Sequence, residues 1–158
     1  MIPRGVIIGI TVGVVAAALF GIFALTINSQ RQQLVFVEGH SLSIITEKMD
    51  FSLGENIQIK IINTGTTPLV FSDASYGLQI VGLDGRILYS PIAAQVISTL
   101  EPKEERTFVW DQTKNDGEQV IEGRYKIVST TNYDEGKIIK KSITVNILKR
   151  LTLHSNIV

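Results

Sequence analysis

The segment from Asp111 to Glu122 (DQTKNDGEQVIE) places Asp111, Thr113, Asn115 and Glu122 at positions 1, 3, 5 and 12 of a calcium-binding loop. Oxygen ligands at that spacing are what a hard cation requires, but the loop also needs glycine at position 6 for its sharp turn. Here the glycine, Gly117, stands at position 7, and no helical pattern flanks the segment. The expected structure is a solvated turn, with Asp111, Asn115 and Asp116 as the oxygen donors if a cation binds in another geometry. Gly39-His40-Ser41-Leu42-Ser43 comes within one residue of a nucleophile elbow. That motif needs a final glycine and a strand-to-helix turn, whereas here Ser43 replaces the glycine and a strand pattern follows. His40 and His154 have no companion ligands at metal-binding spacing, and surface positions are expected for both. There is no phosphate-cradling glycine loop and no metalloprotease motif. The chain is expected to be neither an enzyme nor a holder of a metal or cofactor, and no small-molecule substrate is expected.

Composition narrows the classes further. The 158 residues include 15 basic and 15 acidic side chains, with a formal net charge of zero. Nucleic-acid binding depends on a clustered basic surface that displaces counterions from phosphates, and this balance gives no basis for it. There is no cysteine, which removes disulfides, thiolate metal sites, a thiol nucleophile and cysteine lipidation. No Asn-x-Ser/Thr sequon is present.

The mean hydropathy of +0.23 has a local origin. Residues Gly5 to Ile27 (GVIIGITVGVVAAALFGIFALTI) are uncharged, and only Thr11 and Thr26 carry polar side-chain atoms. As a helix rising about 1.5 Å per residue, this run spans a hydrocarbon core of about 30 Å. A transmembrane helix over 5–27 is therefore expected, contacting the membrane directly. A cleaved secretory signal fits less well, because the run is long and Leu25-Thr26-Ile27 lacks an Ala-x-Ala cleavage pattern. A buried helix of a soluble domain would need other helices around it, and none is indicated. Arg4-Gly5 ahead of a hydrophobic run also resembles a class III signal of pilin-like and archaellum proteins. Gly5, Gly9 and Gly13 form a small-residue ladder, common in membrane helices with or without helix pairing. Arg4 and Arg31 nearly balance the flanking charge, but the four-residue leading segment favours an N-terminus inside and the remaining domain outside the cytoplasm.

The chain is therefore divided into a cytoplasmic tail at 1–4, the membrane helix at 5–27, a stalk at 28–40, a β-domain at 41–148 and a C-terminal tail at 149–158. Within the β-domain, short runs rich in Val, Ile, Thr, Phe and Tyr alternate with Gly, Pro, Asp and Asn, the pattern of a sandwich or barrel. Strands are expected over 41–47, 56–62, 67–71, 76–83, 86–89, 95–99, 106–110, 124–131 and 137–148. Glycines of the Leu53-Gly54-Glu55 and Asn63-Thr64-Gly65 turns are expected to supply positive φ. Asp84-Gly85 predicts a type I′ hairpin, which needs positive φ at both positions. Pro102-Lys103 and the 132–136 segment predict two further hairpins. The sum is an all-β, immunoglobulin-like antiparallel β-sandwich of about eight strands. Phe108 and Trp110 share a strand face and, with Tyr125, are the expected core aromatics; Tyr125 after Gly123 is placed to bond backbone as corner tyrosines do.

An ordered series of segments is similar to the BsuPI-type domain, named for an intracellular proteinase inhibitor. It comprises Asn63-Thr64-Gly65 with Pro68 to Ser72, Leu78 to Val81 with Asp84-Gly85, Leu100 to Glu104, Phe108 to Gln112, Asp116-Gly117, and Gly123 to Ile127. The resemblance covers about residues 57–131 and implies the sandwich fold. This chain departs from the family where it has Ile87-Leu88-Tyr89-Ser90 after the Asp-Gly turn and Ile92-Ala93-Ala94 in the following segment. That region is loop-proximal and open to protease contact, so the departures weigh against inhibition more than against the fold. Ser90, Pro91, Ile92 and Gln95 are the candidate interaction loop. The functional expectation is a non-enzymatic, single-pass membrane protein displaying an interaction or assembly module outside the cytoplasm, with a protein partner. The alternatives are a proteinase inhibitor acting through an exposed loop and a pilus or archaellum-associated subunit. A protruding, rigid 90–99 loop favours inhibition, and a covered one favours assembly.

Overall fold

The computed structural model describes residues 34–133 and 136–149. The Gly5 to Ile27 run, residues 28–33 of the stalk, His154 and nearly all of the tail lie outside the described residues. Among the described residues no helix is long and apolar enough to cross a membrane, and every regular element is a strand.

The strands are β1 (Leu42–Thr46), β2 (Asp50–Ser52), β3 (Ile57–Asn63), β4 (Leu69–Phe71), β5 (Gln79–Gly82), β6 (Ile87–Tyr89), β7 (Ser98–Leu100), β8 (Glu105–Trp110), β9 (Gly123–Tyr133) and β10 (Lys137–Leu148). β1, β3 and β8 form a small sheet in the order β1-β3-β8. The others form a large sheet in the order β2-β10-β9-β4-β7, with β5 and β6 branching from β9. Alternation builds both layers. In β3, Ile57, Ile59 and Ile61 are sealed while Gln58 is exposed. In β9 and β10, Tyr125, Ile127, Val145 and Ile147 are buried. One continuous apolar cluster joins these residues to Phe51, Leu69, Phe71, Ile80, Leu100 and Trp110, the arrangement of a sandwich-like fold whose sheets bury their facing sides.

Several local expectations are corrected. Ten strands form among the described residues against the expected number of about eight, and one of them, three-residue β2, has no alternation to reveal it. Its pairing is parallel, with Asn146, Ile147 and Leu148 opposite Asp50, Phe51 and Ser52, so the fold is not wholly antiparallel. Glu47-Lys48-Met49 carry the chain from the small sheet to this edge without Gly or Pro, which hides the switch from turn rules. β7 and β8 are not a hairpin: β7 pairs with β4 and β8 with β3. The Pro102-Lys103 turn, with Glu104 N donating to Glu101 O at 2.9 Å, is a crossing between sheets. Leu100 is needed on one side of the core and Trp110 on the other.

The Asp84-Gly85 hairpin forms with a different turn. Only Gly85 has positive φ (85°). Gly85 N bonds Gly82 O at 3.0 Å and Gly82 N bonds Arg86 O at 2.9 Å, giving a longer loop closed by Gly85 with a register shift at Ile80/Val81. Gly65 is required for space and not for φ, because a Cβ there would lie 2.1 Å from Gly39 O. Residues 37–40, assigned to the stalk, make backbone contacts with the domain: Val37 N donates to Thr64 O at 2.9 Å and Thr66 N to Gly39 O at 2.8 Å.

Trp110 is 1% exposed. Its ring lies 6.4 Å from that of Tyr89 and 6.0 Å from that of Tyr125, and its Nε1 donates to Thr113 O at 2.8 Å. Trp110→Ala removes this packing and should cost about 3–5 kcal/mol. Urea unfolding of wild type and variant measures the loss, and the wild-type emission of this single tryptophan should be blue-shifted. Red-shifted native emission with an unchanged midpoint would contradict the burial.

Candidate functional site

β9 is flanked on the same side by two different strands. Its first half pairs with β5, from Gly82 opposite Tyr125 to Gln79 opposite Val128, and its far end pairs with β4 at Val70 opposite Asn132. Between them residues 72–78 leave the sheet as a strap. The ladder is interrupted there, and hydroxyls take over part of its role. Ser129 Oγ donates to Tyr76 O at 2.7 Å, and Thr131 Oγ1 donates to Val70 O. Both hydroxyl residues are buried, so their short side chains find acceptors in the carbonyls of the strap and of β4.

The strap turns on Tyr76 and Gly77, with φ of 52° and 62°, and Leu78 N donates to Ser75 O at 3.1 Å. Positive φ at both central positions is the type I′ geometry, here within the large sheet's fork. A non-glycine residue held at positive φ needs its surroundings to hold it. Tyr76 is buried against Phe71 (5.1 Å between ring centroids) and Phe108 (6.2 Å), and its hydroxyl accepts from Arg106 Nε at 3.0 Å. Arg106 also pairs with Glu104 at 2.6 Å, so β8 of the small sheet fastens the strap of the large one. Gly77 sits so close to β9 that a Cβ would lie 2.0 Å from Thr130 O.

Outside the strap is a polar cleft of about 360 Å³, lined by strap residues, Gln79 and Ser90, and by Thr130 to Asn132 of β9. Asp73 is its only charged lining residue. Asp73 Oδ1 accepts from Ser75 N at 2.8 Å. Hydrogen bonds from Ser75 hold the Asp73 carboxyl below its ordinary pKa against a smaller opposing effect of burial.

The candidate loop borders the same cleft. Ser90 Oγ donates to Leu78 O at 3.3 Å, Ser90 N donates to Asn115 Oδ1 at 3.1 Å, and Ala74 N donates to Ala94 O at 3.1 Å. Pro91 is half-buried, Gln95 is exposed and Ile92 is fully exposed. Ile97 is 78% and Val96 55% exposed. The loop is therefore pinned to the strap and to the 111–122 segment while presenting apolar side chains outward.

In the 111–122 segment the oxygens are engaged locally. Asp111 Oδ1 accepts from Thr113 N and Oγ1 at 3.1 and 2.5 Å, Asp116 Oδ1 accepts from Glu118 N at 2.9 Å, and Asn115 Oδ1 is bound to Ser90. Among the described residues no group of three His, Cys, Asp or Glu could hold a metal. His40 stacks on Tyr133 at 4.6 Å, and Ser41 Oγ lies 2.9 Å from Thr64 Oγ1. Phe108 is half-buried at the core margin, and Tyr125 is 7% exposed with its hydroxyl donating to Ile121 O at 2.7 Å. Burial pushes the Tyr125 pKa up. Sequence reasoning assigns no structural role to the side chains of Tyr76, Asn63 and Gln112 or to Gly77; Asn63 reads only as part of a turn and Tyr76-Gly77 only as the start of an expected strand.

The fold and site define an all-β, two-sheet domain with a pinned apolar loop and a polar cleft. No family model matches the chain, and no curated protein matches it. The BsuPI resemblance gains no support from those comparisons. Among solved structures, the sporulation control protein Spo0M from Bacillus subtilis aligns at 18% identity over 73% of this chain and 51% of that one, with a TM-score of 0.42. A β-glucosidase from Listeria innocua aligns at 15% identity over 68% of this chain and 16% of that one, with a TM-score of 0.32. The chain thus spans about half the length of the Spo0M chain. These alignments are too loose to carry any argument about function.

The two turn glycines provide a contrast that tests the fork. Gly85→Ala, at φ 85° with nothing within 4 Å, should cost about 1–2 kcal/mol from backbone strain. Gly77→Ala adds a clash with β9 and should cost about 1–3 kcal/mol more. Denaturant unfolding of both variants measures the difference, and equal costs would remove the close approach.

Asp73 and Asp111 supply a pH test, since hydrogen bonds to Ser75 and Thr113 respectively lower both carboxyls from 3.8. A group whose folded pKa is lowered contributes stability above its unfolded pKa and loses it as pH falls through the folded value. The unfolding midpoint should therefore drop on acidification below about pH 4, and Asp73→Asn with Asp111→Asn should shallow that drop. An unchanged acid limb would mean that neither carboxylate contributes.

Proposed function

We propose that this chain is a non-enzymatic, single-pass membrane protein that displays an immunoglobulin-like β-sandwich outside the cytoplasm. Its domain acts as an interaction or assembly module whose protein contact is the 90–97 loop. The observation that carries the proposal is that loop itself, with Ile92, Val96 and Ile97 exposed and its backbone tied at Ser90 and Ala94. Clustered exposed apolar side chains on a tethered loop mark a contact surface, and tethering lowers the ordering cost of binding. The membrane anchor is supported by the uncharged Gly5 to Ile27 run.

A second reading, proteinase inhibition, is favoured by one feature of the same loop. Among the described residues it is uncovered, the condition under which it could enter a protease cleft.

Ile92→Ser with Ile97→Ser tests both readings in the full chain. Because both side chains are exposed, the unfolding midpoint should move by no more than about 0.5 kcal/mol. Capture of partners from detergent extracts, followed by mass spectrometry, should lose the proteins that wild type retains, a weakening of about 2 kcal/mol or more. Equal capture by both forms would remove the loop from the contact. Loop-dependent inhibition of an added serine protease would select the inhibitor reading. The anchor is tested separately by retention in membranes through alkaline carbonate and by digestion of the domain when protease is added to intact cells.

A further inference from the structure

The cleft beside the strap meets the loop contact proposed above only at Ser90, and its chemistry is one-sided. Gln79 of β5 and Thr130 and Asn132 of β9 line it, and the side chains of these three make no hydrogen bond among the described residues. The two carboxamides and the hydroxyl offer both donors and acceptors. The Asp73 carboxylate accepts from Ser75 N at 2.8 Å and from the Ser75 side chain, while its Oδ2 lies 3.5 Å from Ser72 Oγ. A carboxylate accepts about four hydrogen bonds, so acceptor capacity remains.

What the lining lacks is equally selective. No Lys, Arg or His is present, and a phosphate or carboxylate entering the cleft would meet the Asp73 charge uncompensated. No aromatic ring and few apolar side chains line it, so a flat hydrophobic molecule would bury unsatisfied amides at a cost. A neutral molecule with several hydroxyls, each able to donate and accept, satisfies all of these groups together. At about 360 Å³ the cleft falls within the range of small-molecule sites. Its walls are set before binding, because Gly77 abuts Thr130 and Ser129 and Thr131 tie the two sides of the fork to β9.

We infer that the fork cleft is a binding site for a neutral saccharide, held by hydrogen bonds from Gln79, Thr130 and Asn132 and by the Asp73 carboxylate accepting sugar hydroxyls. This goes beyond the interaction module and departs from the expectation of no small-molecule partner. Binding is weak because no aromatic face stacks on the ring.

Amide NMR of the full chain, in a detergent without a sugar headgroup, tests the site with cellobiose and N-acetylglucosamine as probes and glucose 6-phosphate as the charged control. At least one neutral sugar should shift amides of 72–79 and 130–132 in a saturable way, and the phosphorylated control should bind at least about tenfold more weakly. Gln79→Ala and Asn132→Ala, both outside the apolar core, should each weaken the binding by about tenfold or less while leaving the unfolding midpoint unchanged. Shifts elsewhere, no saturable shift with either neutral sugar, equal binding of glucose 6-phosphate, or undiminished binding when Gln79→Ala and Asn132→Ala are combined would each overturn the inference.

Discussion

A carboxamide sealed from water must find its hydrogen bonds inside the protein, and two such groups hold this domain together at the points where the chain changes layer. Asn63, at the end of β3, donates through Nδ2 to Thr67 O at 2.9 Å and Leu100 O at 2.8 Å, and accepts through Oδ1 from Gly65 N at 2.9 Å. It ties the small sheet to the start of β4 and the end of β7. Gln112, at φ 65° just after β8, donates through Nε2 to Ser52 O at 2.9 Å and Glu55 O at 2.8 Å, and accepts from Gly54 N at 2.8 Å. It ties the β8 exit to the turn between β2 and β3. Both residues are completely buried, and each amide places three bonds on backbone that would otherwise be orphaned. Removing either would leave several buried backbone groups without partners, each costing about 1–3 kcal/mol.

The fork in the large sheet follows from the same constraint applied to a strand with two successive neighbours. β9 is longer than either β4 or β5, so a stretch of its edge faces neither. Elsewhere in the sheet amides meet carbonyls; at the fork Thr130 N still reaches Gly77 O at 3.3 Å, and Ser129 and Thr131 hydroxyls supply the bonds on either side. The strap that closes the gap is held by a strained Tyr76, which the Arg106 bond and two neighbouring rings keep in place. This concentrates polar groups and an unusual backbone in one place on a scaffold that is otherwise apolar inside. The pinned 90–97 loop shares two of the fork's attachments, through Leu78 and Ala74. A partner bound at the loop and a molecule in the cleft would therefore load the same short segment.

Period-two alternation was readable in Ile57–Asn63 and in the 137–148 run because it depends only on which side chains successive residues present. That local rule is enough to establish an all-β domain and to place most strands within a few residues. The Asp84-Gly85 reversal was also legible, since glycine and aspartate are turn residues whatever lies around them, although its turn type was not. The 111–122 segment read as a turn because Asn-Asp-Gly bonds its own backbone, and Asp111 and Asp116 do so here. The uncharged Gly5 to Ile27 run belongs to the same class of evidence, a property of composition alone.

Partner choice is of another kind. Whether Pro102-Lys103 joined two strands of one sheet or crossed between sheets depended on which layer needed Leu100 and which needed Trp110, and no local rule contains that. β2 pairs with β10 across nearly a hundred residues, too few of its own residues being present to announce a strand. Asn63 and Gln112 look like ordinary polar residues near turns until the core closes over them. The fork, the strap and the cleft exist only because β4 and β5 both compete for one edge of β9. Local sequence thus determined the kind of backbone and where it reverses, whereas long-range packing decided which edges meet and which polar groups are sealed or left open.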